Sequence, residues 1–235
     1  TRSMRSMVKA KLIVFVGPKG SGKSTQAFLL SREYDAKVVK AQPYTILHSW
    51  GLKFINALAR ATGKTVIIRF YEDEPPSASA SPEFLKRIMP LFVLLHILGL
   101  FLNWVWLKLK TLRIQNLIIE DEGYVYKQVA DLLYIVKWSR ASVKSSLLRL
   151  FMRLALGLTS KCKCTIVFFR ITSYDELKNR YIRQKVYNKR RKIEPWSYVA
   201  FQLAIYKVLG YSCVVNSSDD WRKVYEKVKK CLKLQ

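Results

Sequence analysis

The sequence predicts an α/β fold, a three-layer sandwich in which a five-stranded parallel sheet carries helices on both faces and is closed by a basic lid. Three observations lead there. Short apolar runs alternate with helical stretches along the 235 residues. Runs without polar alternation mark strands buried on both faces, and parallel strands need the crossovers that the intervening helices supply. The first run, Lys11 to Val16, opens directly into GPKGSGKST, Gly17 to Thr25. Finally, 50% of the residues are apolar, enough for a full core at this length. A single domain over 1–235 is the expected organisation.

The segment Gly17, Pro18, Lys19, Gly20, Ser21, Gly22, Lys23, Ser24 and Thr25 reads as the phosphate-binding loop of a P-loop NTPase, set between a strand and a helix. Its glycines let the backbone turn tightly and bring N–H groups against an anion. Lys23 would reach the β- and γ-phosphates, and the Ser24 hydroxyl would ligate the bridging Mg²⁺. The helix beginning near Lys23 turns its positive dipole end to the same place. ATP and Mg²⁺ are the expected ligands.

The remaining elements follow in order. Lys37–Ala41 is the second strand. Gly63 would end a helix over Trp50–Thr62. The β-rich run Thr65–Tyr71 reads as an insertion or edge element, and the acidic stretch 72–82, rich in Pro, Ser and Ala, as a mobile loop. Ile88 to Leu107 contains no charged residue in twenty. Its length suits a bilayer span, but a span would separate the P-loop from the acidic strand end that completes its site. Two readings remain for this helix: a homodimer interface, or a monotopic helix in a membrane interface flanked by Lys86, Arg87, Lys108 and Lys110.

Asn116–Glu120 is an apolar strand ending in the acids Glu120, Asp121 and Glu122. Glu120 or Asp121 would hold Mg²⁺ and orient the attacking group. Thr165–Arg170 is the fourth core strand and Ser212–Asn216 the fifth. Between them 178–192 reads KNRYIRQKVYNKRRK, eight basic residues and no acid in fifteen. Arg180, Arg183, Arg190 and Arg191 are candidates for a lid that closes over the charge of phosphoryl transfer, with a hinge near Asn188. A solvated basic helix, or a nucleic-acid stripe interleaved with Tyr181 and Tyr187, fits the same composition.

The 42 Lys and Arg against 16 Asp and Glu leave a charge of +26. A surplus of this size suits a polyanionic partner: nucleic acid, an anionic membrane surface or phosphorylated substrates. It also suits a solvated basic surface. Cys162, Cys164, Cys213 and Cys231 show no metal-binding spacing. The Cys162–Cys164 pair reads as small buried hydrophobes, and a reducing cytosol fits. The opening TRSMRSMVKA lacks the apolar stretch of a secretory signal. A cytoplasmic protein, peripheral to a membrane if the apolar helix lies on one, is expected.

Taken together, GSGKSTQ (Gly20 to Gln26), KVVKAQPYT (Lys37 to Thr45), NLIIEDEGYVYKQ, TIVFFRITSYDELKNRYIR (Thr165 to Arg183) and RKIEPWSYVAFQLAIYKVLG (Arg191 to Gly210) resemble the thymidylate kinase-like nucleoside monophosphate kinases. The resemblance runs over about residues 10 to 232 and implies transfer of the ATP γ-phosphoryl group to a nucleoside monophosphate or related phosphorylated acceptor. Departures fall on the acceptor side. Lys19 stands where the family has an acid, and Ala41 and Gln42 where it has Arg-Glu. Asp121 stands where the family has an Arg, and His96 where its long helix brings an Arg to the acceptor phosphate. The donor side is intact, so thymidylate itself is expected to be a poor acceptor. Two other functions remain compatible with the residues. One is a kinase of a membrane-associated lipid or glycan, or of a nucleic-acid 5′ end. The other is a nucleotide-dependent nucleic-acid-binding module.

Overall fold

The computed structural model describes residues 12–40, 53, 57, 60, 61, 67–69, 77–79, 82–114, 117–120, 125–138, 145–160, 164–185 and 195–233. In chain order the elements are β1 (Leu12–Val16), α1 (Lys23–Tyr34), β2 (Lys37–Lys40), β3 (Ile67–Arg69), β4 (Ser77–Ser79) and α2 (Pro82–Arg113). There follow β5 (Leu117–Glu120), α3 (Val125–Trp138), α4 (Ser145–Ser160), β6 (Thr165–Arg170), α5 (Tyr174–Lys185), α6 (Trp196–Leu209), β7 (Cys213–Asn216) and α7 (Trp221–Cys231). The helix expected over Trp50–Thr62 falls almost entirely outside the described residues.

The main sheet has the order β2-β5-β1-β6-β7, and every pairing in it is parallel. All the strand C-termini therefore point the same way, and β1 lies in the middle with its following loop at that edge. Alternation along β1 divides the core in two. Leu12, Val14 and Val16 face the layer built from α2, α3, α4 and α6. Ile13 and Phe15 face the layer built from α1 and α7. The same division holds on β6, with Ile166 and Phe168 on the first side and Val167 and Phe169 on the second. Both faces are buried, which is why β1 reads as an unbroken apolar run. Within each layer the helices are tied by hydrogen bonds: Gln26 Nε2 of α1 donates to the Trp221 carbonyl of α7 (3.2 Å), and Tyr126 Oη of α3 donates to the Gly210 carbonyl after α6 (2.5 Å).

Three elements differ from the sequence reading. Ser77–Ser79 lies inside the stretch expected to be a loop, yet it pairs antiparallel with Ile67–Arg69 in a separate two-stranded sheet. An extended neighbour supplies the hydrogen bonds that a Ser-Ala-Ser composition does not advertise.

The apolar helix is longer than its uncharged run, Pro82–Arg113 against 88–107, and has one buried and one exposed face. Met89, Phe92, Val93, His96, Leu100, Asn103 and Leu107 are buried against α3 and α4. Leu94, Leu98, Phe101 and Trp104 are 40 to 56% exposed. By length and composition the helix could cross a membrane, but its inner face belongs to the core.

Finally, Cys213 and Cys231 form a disulfide that ties β7 to α7, and no described cysteine is free. Closing a loop with a sequence separation of 18 residues stabilises by about 3 kcal/mol in the chain-entropy picture. The spacing of the four cysteines gave no sign of this pair, because β7 and α7 bring its two members together only in the fold.

Candidate active site at the P-loop

The segment between β1 and α1 wraps as the sequence predicts. Gly17 (φ 153°) passes so close to β6 that an added Cβ would stand 2.7 Å from the Phe169 carbonyl oxygen. Only glycine fits both that conformation and that approach. Gly22 (φ 87°) is the residue before α1, and the Gln26 N–H donates to its carbonyl at 3.2 Å to start the helix. The first-turn amides and the positive end of α1 thus face the C-terminal edge of the sheet.

Lys23 is 8% exposed. Its ammonium donates to the carbonyls of Gly17 (2.7 Å) and Pro18 (2.8 Å) and lies 3.5 Å from Ser21 Oγ. The side chain therefore bridges its own loop, with its cation held by two loop carbonyls. Ser21 is buried beneath it, while Ser24 and Thr25 are exposed on the first turn of α1. Pro18 is buried, and Lys19 and Gly20 are half-buried on the turn above.

Across the loop stands α5. Arg180 Nη1 donates to the Gly20 carbonyl at 3.5 Å, and the same nitrogen would be 3.7 Å from a Cβ built on Gly22. Of the lid arginines in the sequence reading, Arg180 has a described side chain, and it stands at the loop. Arg183 follows on α5, but its side chain lies outside the described residues, as do Arg190, Arg191 and Asn188. On the other side of β1, Glu120 ends β5 in register with Phe15 and with Lys40 of β2. Its backbone is thus level with the strand end from which the P-loop springs. The Glu120 side chain and the whole of Asp121 lie outside the described residues.

One feature escaped the sequence reading and another is placed differently from it. Glu176 pairs with Arg180 (Oε1 to Nη2, 3.1 Å), and Thr172 and Ser218 hold its other oxygen. The Ser173-x-x-Glu176 spacing of a helix start and the i,i+4 spacing to Arg180 were both legible signals. His96 was read as standing in an acceptor position. It is fully buried instead, with its ring against Phe92 (4.6 Å between centroids) and Phe151 (6.3 Å). Its carbonyl accepts from Gln128 Nε2 at 2.6 Å.

No family model and no curated protein matches the chain. Solved structures do. A deoxyadenosine kinase from M. mycoides, solved with bound dATP, aligns over 94% of this chain and 99% of its own, at 13% identity and a TM-score of 0.50. A sugar kinase from Janibacter sp. HTCC2649, solved without ligand, aligns over 96% and 95% at 15% identity, but its TM-score of 0.42 gives it no weight. At such identities the first comparison speaks for the fold alone. The protein shares that fold: a mixed α/β sandwich built on a parallel sheet.

Proposed function

We propose that the protein is an ATP-dependent phosphotransferase acting on a small acceptor of the nucleoside or nucleoside monophosphate class. The observation that carries this reading is the convergence of two cations, Lys23 and Arg180, on one glycine-rich loop at the C-terminal edge of a parallel sheet. Phosphoryl transfer needs little covalent help from a protein; it needs the phosphates positioned and their charge compensated. The loop amides and Lys23 would hold the β- and γ-phosphates, Lys23 exchanging the carbonyls of Gly17 and Pro18 for phosphate oxygens. Arg180 would meet charge developing on the transferred group, joined by Arg183, Arg190 and Arg191 as the lid closes.

The donor chemistry of the site suits Mg²⁺, a hard cation that takes hydroxyl and carboxylate oxygens. The exposed Ser24 hydroxyl and the carboxylate of Glu120 or Asp121 would hold it, and when bound it would neutralise phosphate charge. The resemblance to thymidylate kinase-like enzymes supports the same donor half. His96 bears on the acceptor half. A ring sealed between two phenylalanines cannot clamp an acceptor phosphate as an Arg would, so an acceptor carrying a neutral hydroxyl fits better than thymidylate. The structural neighbour that phosphorylates deoxyadenosine is in line with this.

The exposed face of α2 supports a homodimer. Leu91, Leu94, Leu98 and Phe101 follow a 3-4-3 spacing, the spacing that pairs helices. Trp104 extends the same exposed side of α2 by one turn, and an apolar helix face of this kind is what a partner copy would cover.

The test is a γ-labelled ATP assay in which each deoxynucleoside competes with its own 5′-monophosphate. Preferential labelling of nucleosides supports the neutral acceptor. Preferential labelling of monophosphates, thymidylate above all, would return the acceptor to the phosphorylated class.

A further inference from the structure

Arg180 would act best if its guanidinium were already aimed at the P-loop, because a long side chain that must find its place during the reaction loses much of its effect. Two things hold it. One is the Gly20 carbonyl described above. The other is Glu176, one helical turn earlier on α5, whose Oε1 sits 3.1 Å from Arg180 Nη2. Glu176 is itself fixed. Its side chain is only 16% exposed, and its backbone N–H donates to Ser173 Oγ (3.2 Å) at the start of α5. Its Oε2 accepts from the Thr172 hydroxyl (3.2 Å) and N–H (3.5 Å), and from Ser218 Oγ (2.8 Å). Thr172 belongs to the segment after β6 and Ser218 to the turn after β7, so both strand ends brace one carboxylate.

The two oxygens have separate tasks. Oε2 is occupied by the scaffold, and Oε1, buried and with no hydrogen bond of its own, meets the guanidinium as an ion pair at 3.1 Å. Because the carboxylate takes Nη2, Nη1 stays on the loop side, where it lies near Gly20 and Gly22. A planar guanidinium held on one edge by a fixed carboxylate presents its other edge in a fixed direction.

We infer that Glu176 is a positioning residue: it orients Arg180 over the P-loop and ties that orientation to the ends of β6 and β7. The inference rests on the phosphotransferase reading. Glu176 touches no phosphate; its effect passes through Arg180. Glu176→Gln keeps the shape and the contacts to Thr172 and Ser218 but removes the charge that holds Nη2.

The experiment is a double-mutant cycle on kcat and on KM for ATP, with Glu176→Gln, Arg180→Ala and the pair. Glu176→Gln is expected to lower kcat by about 10- to 100-fold, the scale of a small misplacement of a reacting group, with KM little changed. The double variant is expected to be no slower than Arg180→Ala alone, since the partner through which Glu176 acts is already gone. Should Glu176→Gln fail to fold, Ser218→Ala and Thr172→Val free the same carboxylate from its braces; each should lower kcat in the parent and do nothing in the Arg180→Ala background. Additive losses, or an unchanged kcat in Glu176→Gln, would overturn the inference. Lys23→Ala run alongside separates the two claims. If it retains turnover, the P-loop reading itself fails; if it loses turnover while the cycle is additive, only the role of Glu176 falls.

Discussion

Replacing Lys23 by Ala should damage stability and turnover to different extents, and both can be sized from the structure. The ammonium is buried and donates to two loop carbonyls, at 2.7 and 2.8 Å. The position is therefore more than a free catalytic side chain on a loop. Removing it leaves Gly17 and Pro18 oxygens short of a donor, and an orphaned buried polar group costs about 1–3 kcal/mol. Relief of the desolvated lysine and entry of water offset part of this, leaving a net loss near ~1–2 kcal/mol. For a chain of this size that lowers Tm by about 3–6 °C, which circular dichroism resolves easily.

Turnover should fall much further. Deleting one preorganised group that stabilises developing charge costs about 10²–10³ in kcat, or roughly 3–4 kcal/mol. The thermal shift given by saturating ATP should shrink as well, because a ligand stabilises only in proportion to its affinity for the folded state. The assays are melting curves with and without Mg·ATP, and initial rates at saturating ATP. A variant as active as the parent would refute the reasoning. So would a variant that is unfolded at room temperature, since Lys23 would then be chiefly a structural clasp.

Other perturbations probe the frame around the loop. Gly17→Ala drives a Cβ to 2.7 Å from the Phe169 carbonyl at a φ of 153°; a stability loss of about 1–3 kcal/mol and weakened nucleotide binding are expected, read by denaturant unfolding and ATP titration. At the α1–α7 seam, burial tends to raise the Glu33 pKa, but hydrogen bonds from Tyr225 and Lys229 outweigh it and leave the carboxyl below its ordinary value of 4.5. A lowered folded-state pKa gives stability that is present above the unfolded value and lost as pH falls through the folded one. The stability gap between parent and Glu33→Gln should therefore close on acidification below about pH 4.5, as followed by urea midpoints against pH; a gap that persists at low pH would exclude the ionised seam. Leu98→Glu with Phe101→Glu should turn a dimer into a monomer by light scattering. A parent that is monomeric and binds anionic vesicles instead would assign the same face to a membrane surface.

What the sequence disclosed, and what it withheld, follows from how local each signal is. β1 and β6 are unbroken apolar runs because both of their faces are covered, and the P-loop is a contiguous motif; both are readable one window at a time. The face that α2 buries was not readable. Leu, Phe, Trp and Val lie on all its sides, so periodicity marks no face, and the polar residues His96 and Asn103, which would be expected outward, are inside. The strand at Ser77–Ser79 exists through its pairing with Ile67–Arg69, a contact absent from its own composition. At the site, Arg180 was visible as part of a basic run, and its spacing from Glu176 could have been noticed. The bracing by Ser218 comes from a residue 42 positions along the chain from Glu176 and is a product of β6 lying beside β7.

The most direct measurement follows the γ-phosphoryl group itself. The full-length protein, Mg²⁺ and γ-labelled ATP are incubated with a mixture of nucleosides and monophosphates, and the label is tracked among ATP, inorganic phosphate and organic phosphate. The account predicts that ADP and a labelled organic phosphate appear in equal amounts, and that Lys23→Ala and Arg180→Ala slow both together. ADP formed with the label only in inorganic phosphate, whatever the acceptor, would contradict phosphoryl transfer to a small acceptor. No ADP at all would contradict the use of this loop in catalysis.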